Sequence, residues 1–493
     1  MNNKKNFFTA LLLQIVTMIS GLILPRLIIS TFGSEVNGLC SSITQFLSFI
    51  SLLEGGLGAV VLAELYKPLE ENDCEKVKEI LNSCQNFFNK LAWIFLGYTL
   101  VLSIIYSKYI TNSYGFLFTF SLIWILSLTT LVQYLFAITN KLLLQACQKV
   151  YVVNIVMTIT VLLNLVISVV IICIYPEIHI IKLLSATIYL LQPIIYSHFV
   201  EKKYSLNGFK SQKQNILKNR WSGFTQNLAY FVNTNTDIVV LSIFVSLIDV
   251  SIYSVYMLAI AALRAVIITV ANSYQGALGK YYAMGNDDIL KKNFYKFEKS
   301  FWIIGIILFS TCLLLINAFV SIYTLGIQDA NYFRPNFAVV IVFANMVYCV
   351  REPYRLLVLA VGRFKETNFG SIAEAVINIF ISITLVWKFS LVGVAVGTLI
   401  AITYRLIYFI AFLKKDILFS SYIRYAKYFI TFILLAVINI CVYYLYPIKI
   451  GSFILFIIYG CIVFLIESLA TVLVFKSVEH IQNTVFSRYY TRG

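Results

Sequence analysis

The chain has 493 residues, of which 60% are hydrophobic, 16% aromatic and only 12% charged, with a mean hydropathy of +0.86. Soluble domains carry about 25% charged residues, so this balance excludes one and identifies an integral membrane protein. The formal charge of +16 is spread through short loops and is not gathered on one polar domain, which argues for membrane orientation and against nucleic acid as a partner.

The first apolar stretch, Phe7 to Thr31, follows Met1-Asn-Asn-Lys-Lys5. It lacks a small-residue cleavage site and is too long for a signal-peptide core, so it is expected to remain as the first helix. Apolar runs set against polar punctuation predict fourteen spanning helices, near 7–31, 38–64, 86–107, 115–140, 151–174, 178–199, 221–247, 250–278, 300–325, 335–361, 367–388, 391–413, 423–446 and 451–475. No segment between them is long enough to fold as a soluble domain. Nine cysteines lie mostly within these spans without a Cys-x-x-Cys pair, which indicates neither a disulfide framework nor a zinc site.

Most basic residues fall at the termini and in the even-numbered connections: Lys67, Lys76 and Lys78; Lys202, Lys203, Lys210, Lys213 and Lys218; Lys291, Lys292, Lys296 and Lys299; Lys414 and Lys415. The opposite connections are short and carry few, among them Lys108, Arg334 and Lys449. The positive-inside rule then places both termini in the cytoplasm. Two charged loops of helical composition, 67–85 and 280–299, are expected to be amphipathic connectors at the headgroup level.

Compared with itself, the chain repeats at an offset of 214 residues. Lys141-Leu-Leu-Leu-Gln-Ala-Cys-Gln-Lys-Val-Tyr151 matches Arg355-Leu-Leu-Val-Leu-Ala-Val-Gly-Arg-Phe-Lys365, and the same offset superposes Asn154 on Asn368, Asn164 on Asn378 and Ser168 on Ser382. Six helices separate the copies, an even number, so the halves point the same way about an axis along the membrane normal. The predicted fold is an all-α polytopic membrane protein: an N-terminal lobe at 1–205 (helices 1–6), a basic cytoplasmic linker at 206–219, a C-terminal lobe at 220–413 (helices 7–12), helices 13 and 14 at 414–475, and a cytoplasmic tail at 476–493.

Four charges stand inside otherwise apolar spans: Arg26, Glu54, Asp237 and Arg264. A charge in hydrocarbon costs roughly 2.5 kcal/mol or more, so such residues face a cavity, a partner or a substrate. Under the repeat, Arg26 and Glu54 belong to the first hairpin of one lobe, Asp237 and Arg264 to that of the other.

The chain resembles the polysaccharide flippases of the multidrug/oligosaccharidyl-lipid/polysaccharide exporter superfamily, the Wzx-type proteins. The resemblance rests on Leu24-Pro-Arg-Leu-Ile-Ile-Ser-Thr-Phe-Gly-Ser-Glu-Val-Asn-Gly38, on Asn235-Thr-Asp-Ile-Val-Val-Leu241 followed by Ile252-Tyr-Ser254, and on Gly362-Arg-Phe-Lys365 leading to Ala375-Val-Ile-Asn378 and Gly393-Val-Ala-Val-Gly-Thr398. It implies a two-lobe transporter with a cavity lined by helices 1, 2, 7 and 8, working by alternating access in the bacterial cytoplasmic membrane. The implied substrate is a polyprenyl-pyrophosphate-linked oligosaccharide, with membrane lipid around it, polysaccharide polymerase machinery as a candidate partner, and a monomeric chain. A small-molecule or drug/cation antiporter of the same superfamily is the alternative; arginines in helices 1 and 8 favour an anionic substrate.

Guanidinium is the natural partner of pyrophosphate, since its donor fork matches phosphate oxygens and stays charged when buried. Arg26 and Arg264 are therefore expected either to bind the pyrophosphate or to pair with Glu54 or Asp237. Pro25, just before Arg26, can kink its helix. Glu54, beside Gly55 and Gly56, and Asp237, after Asn233, Asn235 and Thr236, are candidates for coupling to H+ or Na+, or else fixed counter-ions. No other cofactor is implied. Arg351 and Arg355 share a helix face around Glu352 and Pro353; they either line a substrate entrance, snorkel, or pair with Glu374. Arg405 and Glu467 are expected to snorkel at helix ends. Catalysis is not expected: His179, His198 and His480 lie in no metal-ligand pattern, and the chain holds no Gly-x-x-x-x-Gly-Lys phosphate loop.

Overall fold

The computed structural model describes residues 2–54, 57–110, 114–201, 224–363, 365–418, 423–448 and 450–490. The expected linker at 206–219 and its lysines, Gly55 and Gly56, and Lys449 lie outside them. The elements are helical throughout the described residues, and thirteen helices are long and apolar enough to cross a membrane. The predicted seventh span is Phe224–Phe244, whose apolar part, Asn235–Phe244, is shorter. The chain is thus an all-α, multi-pass membrane protein. It divides into two compact units, Met1–Phe231 and Val232–Gly493.

In unit 1, α1 (Asn2–Phe32) runs unbroken through Pro25. The predicted second span is not one helix. It is α2 (Ser34–Leu47), a 3₁₀ segment (Ser48–Glu54) and α3 (Leu57–Glu70), in keeping with a sequence that places Gly55 and Gly56 mid-span. There follow α4 (Cys74–Tyr109), α5 (Phe116–Val132), a π turn (Gln133–Ala137), α6 (Ile138–Ala146), α7 (Val150–Ile174), α8 (Ile178–Tyr189) and α9 (Leu191–Glu201). Unit 2 is more regular: after the seventh span, α10 (Phe224–Phe244), come α11 (Leu247–Ala283), α12 (Asp287–Tyr323), α13 (Pro335–Ala360), α14 (Asn368–Phe389), α15 (Leu391–Leu413), α16 (Ile423–Leu445) and α17 (Phe453–Tyr490).

The charged loops are not separate connectors, contrary to expectation. The carboxylate of Asp73 accepts from Lys76 N and the amide oxygen of Asn286 from Ile289 N, so each capped residue starts a helix that runs from the polar loop straight into the span. The repeat is visible in backbone detail. Cys147, Gln148 and Lys149 N donate to Leu143, Gln145 and Leu144 O, and 214 residues on Val361, Gly362 and Arg363 N donate to Leu357, Leu359 and Val358 O. Both turns pass through positive φ, at Gln148 (55°) and at Gly362 (74°).

In unit 2, α14 and α15 pack closely because glycines of α15 face α14. A Cβ at Gly397 would stand 2.8 Å from Ser382 N, and one at Gly393 2.6 Å from Leu385 C. Gly397→Ala is expected to lower stability by about 1–3 kcal/mol, the usual cost of overpacking, read as a reduced melting temperature in detergent. At the far end of the unit, Glu479 on α17 accepts from both Lys299 on α12 and Lys427 on α16, each at 3.0 Å, and ties these three helices together.

Candidate functional site

In unit 1, Glu54 ends the 3₁₀ segment and is half-buried; one oxygen accepts from the Tyr134 hydroxyl at 2.6 Å. Tyr134 belongs to the π turn, which frees backbone carbonyls from the helical ladder. Gln85 on α4 takes them up. Its Nε2 donates to Leu135 O at 2.8 Å and Tyr134 O at 3.4 Å, while its Oε1 accepts from Thr139 Oγ1 at 2.7 Å. Glu54 thus meets two irregular backbone elements. Arg26 lies half-buried on α1.

In unit 2, Asp237 on α10 is 2% exposed. Its carboxylate accepts from Thr398 Oγ1 at 2.8 and 3.0 Å and from Tyr253 OH at 2.9 Å, and Asn378 Nδ2 donates to the same Thr398 oxygen at 3.0 Å. The Asn378 amide oxygen is buried with no hydrogen-bond partner. The carboxylate and the two hydroxyls make a set of hard oxygen donors.

Arg264, on α11, is half-buried. Its Nη1 donates to Asn345 Oδ1 at 3.1 Å, and its guanidinium carbon lies 3.9 Å from the centroid of the Tyr348 ring, a cation–π contact. Asn345 is oriented for this, since its Nδ2 donates to Ile341 O at 2.8 Å. Among the described residues no carboxylate stands within ion-pair distance of Arg264, so the expected alternative of a pair with Asp237 is not the arrangement seen.

Behind Tyr348 is a buried charge cluster. Arg351, also over the Tyr348 ring at 4.5 Å, pairs through Nη1 with Glu374 on α14 at 2.7 Å, and Glu374 meets Arg405 on α15 at 3.6 Å. Arg405 further donates to Thr367 O at 3.0 Å and Ser371 Oγ at 2.6 Å. Arg355, a third exposed, pairs with Glu352 at 2.7 Å. Of the readings open for Arg351, the pair with Glu374 is the one realised. The snorkelling expected of Arg405 and Glu467 is corrected: both are buried, Arg405 in this cluster and Glu467 accepting from Asn439 Nδ2 at 3.2 Å. In lipid, a long side chain snorkels only where no protein partner is in reach.

Sequence reasoning missed Tyr348, Asn345, Tyr134 and Thr398 as members of these sites. The repeat held a signal for one of them, because Tyr134 and Tyr348 are equivalent at the offset of 214. Each carries a charged side chain from the preceding part of its unit, Glu54 in unit 1 and Arg264 in unit 2.

No family model matches the chain, and no curated protein matches it. Solved structures do. The fold is similar to that of a lipid II flippase, MurJ, in an inward closed conformation, at 17% identity and a TM-score of 0.66 over 99% of both chains. It is similar also to an inward-facing multidrug resistance MATE family transporter of the MOP superfamily, at 15% identity and a TM-score of 0.56 over 81% of this chain and 96% of that one. A MATE crystal structure in complex with MaD3S aligns at 13% identity, with a TM-score of 0.52 over 83% and 97%. The protein is therefore a multi-pass membrane protein with the fold of MOP-superfamily transporters.

Proposed function

We propose that this chain is a flippase that moves polyprenyl-pyrophosphate-linked oligosaccharide repeat units across the bacterial cytoplasmic membrane, for surface polysaccharide synthesis, by alternating access coupled to an ion gradient. The observation that carries the reading is Arg264, a cation in an apolar helix that is held by a neutral amide and an aromatic face and, among the described residues, has no carboxylate at ion-pair distance. Such a guanidinium is set up to take a phosphate oxygen in place of an acid. Arg26, in unit 1, is proposed as a further headgroup-binding residue. The fold shared with a lipid flippase supports it.

The donors around Asp237 fit the coupling role: a carboxylate among hydroxyls suits either Na+ or a proton. Asp237→Asn keeps the shape and the acceptor oxygen but removes the charge, so transport is expected to lose its dependence on the gradient. Flux into vesicles with and without an imposed proton or sodium gradient measures this. A second reading, a cation antiporter, is favoured by the same carboxylates, Glu54 and Asp237, each of which accepts from hydroxyl groups.

Complementation of a strain lacking its own oligosaccharide-lipid flippase separates the two. Restored surface glycan supports the flippase; no glycan at normal expression, with export of a cationic dye, supports the antiporter and overturns the first reading.

A further inference from the structure

At the end of unit 2 opposite Glu479 lies a half-open cavity of about 410 Å³, formed where α11, α13 and α15 begin. The positive-inside rule makes this the outer end. Its volume is in the range of small-molecule sites, about 300–1,000 Å³, and its lining includes Asp249, Arg334, Asn336, Phe389 and Ser390. At the offset of 214, Arg334, Asn336 and Ser390 fall on Phe120, Leu122 and Pro176. The other copy does without these polar groups, so the fold of the repeat does not call for them.

The cavity wall is held in place from behind. Arg334 N donates to Tyr256 OH at 2.9 Å, that hydroxyl donates to Tyr332 O at 3.0 Å, and Tyr332 OH lies 2.9 Å from Ser251 Oγ; Tyr256, Tyr332 and Ser251 are all buried. Tyr444 on α16 donates to Asn336 Oδ1 at 2.6 Å, which leaves the amide N–H groups for another acceptor. Ser390, between α14 and α15, stands at φ 48°, a strained conformation for a residue other than glycine and one that clusters at ligand clamps.

The lining also selects a class of ligand. Asp249 accepts from Ser246 Oγ at 2.6 Å, and among the described residues no carboxylate stands within ion-pair distance of Arg334, so the wall carries both signs of charge without pairing them. A free phosphate would meet Asp249, and a simple cation would meet Arg334. A sugar suits both, because each hydroxyl can donate to a carboxylate and accept from a guanidinium or an amide. Its apolar C–H face matches the ring of Phe389, which is 49% exposed.

Resting on the flippase reading, we propose that this cavity is a sugar site, distinct from Arg264, that holds one or two residues of the oligosaccharide at the outer end of unit 2. Arg334, Asn336 and Asp249 take the hydroxyls, and Phe389 takes the C–H face.

The test uses the full-length protein in detergent and calorimetric titration. The probe is free oligosaccharide released by mild acid from the lipid-linked repeat units that accumulate in a flippase-deficient strain, so that no pyrophosphate remains on it. Arg334→Phe with Asn336→Leu, which installs the residues of unit 1, is expected to weaken binding at least about tenfold. Phe389→Ala removes an exposed ring at little risk to folding and is expected to weaken it about two- to tenfold. Arg264→Ala should bind this probe as the native chain does. A native chain that does not bind the probe, or native affinity in both cavity variants with melting temperatures confirming the fold, overturns the proposal; if the chain still complements the strain, the flippase reading stands. Binding that the cavity variants lose, in a chain that does not complement, supports the sugar site and overturns the flippase reading alone.

Discussion

Arg264→Ala is expected to reduce flippase-dependent surface glycan to background at matched expression. Hydrogen bonds to a charged group are worth about 1.5–3 kcal/mol each, so losing one of them removes about ten- to a hundred-fold of headgroup affinity. The same change is expected to leave the melting temperature nearly native. No carboxylate is orphaned by it, Asn345 keeps its bond to Ile341 O, and the cost of burying a guanidinium disappears. Arg264→Lys retains charge but not the planar fork that stacks on Tyr348, and should fall between the two. Glycan quantified by sugar-specific lectin alongside protein quantified by immunoblot reads both effects. Normal glycan in Arg264→Ala cells would remove the main support for an anionic headgroup site.

Glu374→Ala should behave in the opposite way. The carboxylate lies between Arg351 at 2.7 Å and Arg405 at 3.6 Å, all three side chains nearly fully buried. Removing it takes the close counter-charge from both cations and leaves Arg351 only Glu352 at 3.9 Å, for which a destabilisation of about 3–5 kcal/mol is expected. Most of the protein should then be lost during membrane extraction, and what survives should melt well below the native chain. Fluorescence-detected size exclusion after a heat step measures it. Lys67→Ala provides the comparison: its pair with Glu71 is exposed on both sides, so a much smaller loss is expected.

These two variants mark where the sequence could and could not be read. Burial of apolar surface in lipid is a property of composition over some twenty residues, so the spans followed from hydropathy alone, apart from their ends. The ends moved because capping is decided by single side chains: Asp73 and Asn286 start helices inside loops that composition marked only as charged. The break of the second span after Leu47 was not foreseen, and the π turn at Gln133–Ala137 had no local signal; it depends on Gln85, some fifty residues away.

For the site, cost identified the residues and geometry assigned their neighbours. Arg26, Glu54, Asp237 and Arg264 stood out because charge is rare in hydrocarbon. Arg405 and Glu467 were misjudged for a related reason: position along a helix indicates depth, not which side chain of another helix is in reach. Asn345 and Tyr348 are ordinary residues in a membrane helix, and nothing in their local sequence marks them; Thr398 stands in the Gly393–Thr398 motif, which gave no hint that it meets Asp237.

By itself, then, the sequence determined the membrane class, the spans, the repeat and the exceptional charges, because each of these is a sum or a comparison along the chain. Tertiary structure alone decided which charges are neutralised. Arg351 meets Glu374 across α13 and α14, while Arg264 meets an amide and an aromatic ring, and that difference depends on distances of a few ångströms between helices far apart in sequence. Electrostatic energy varies steeply with such distances in a low dielectric, so the partner decides the role of each charge.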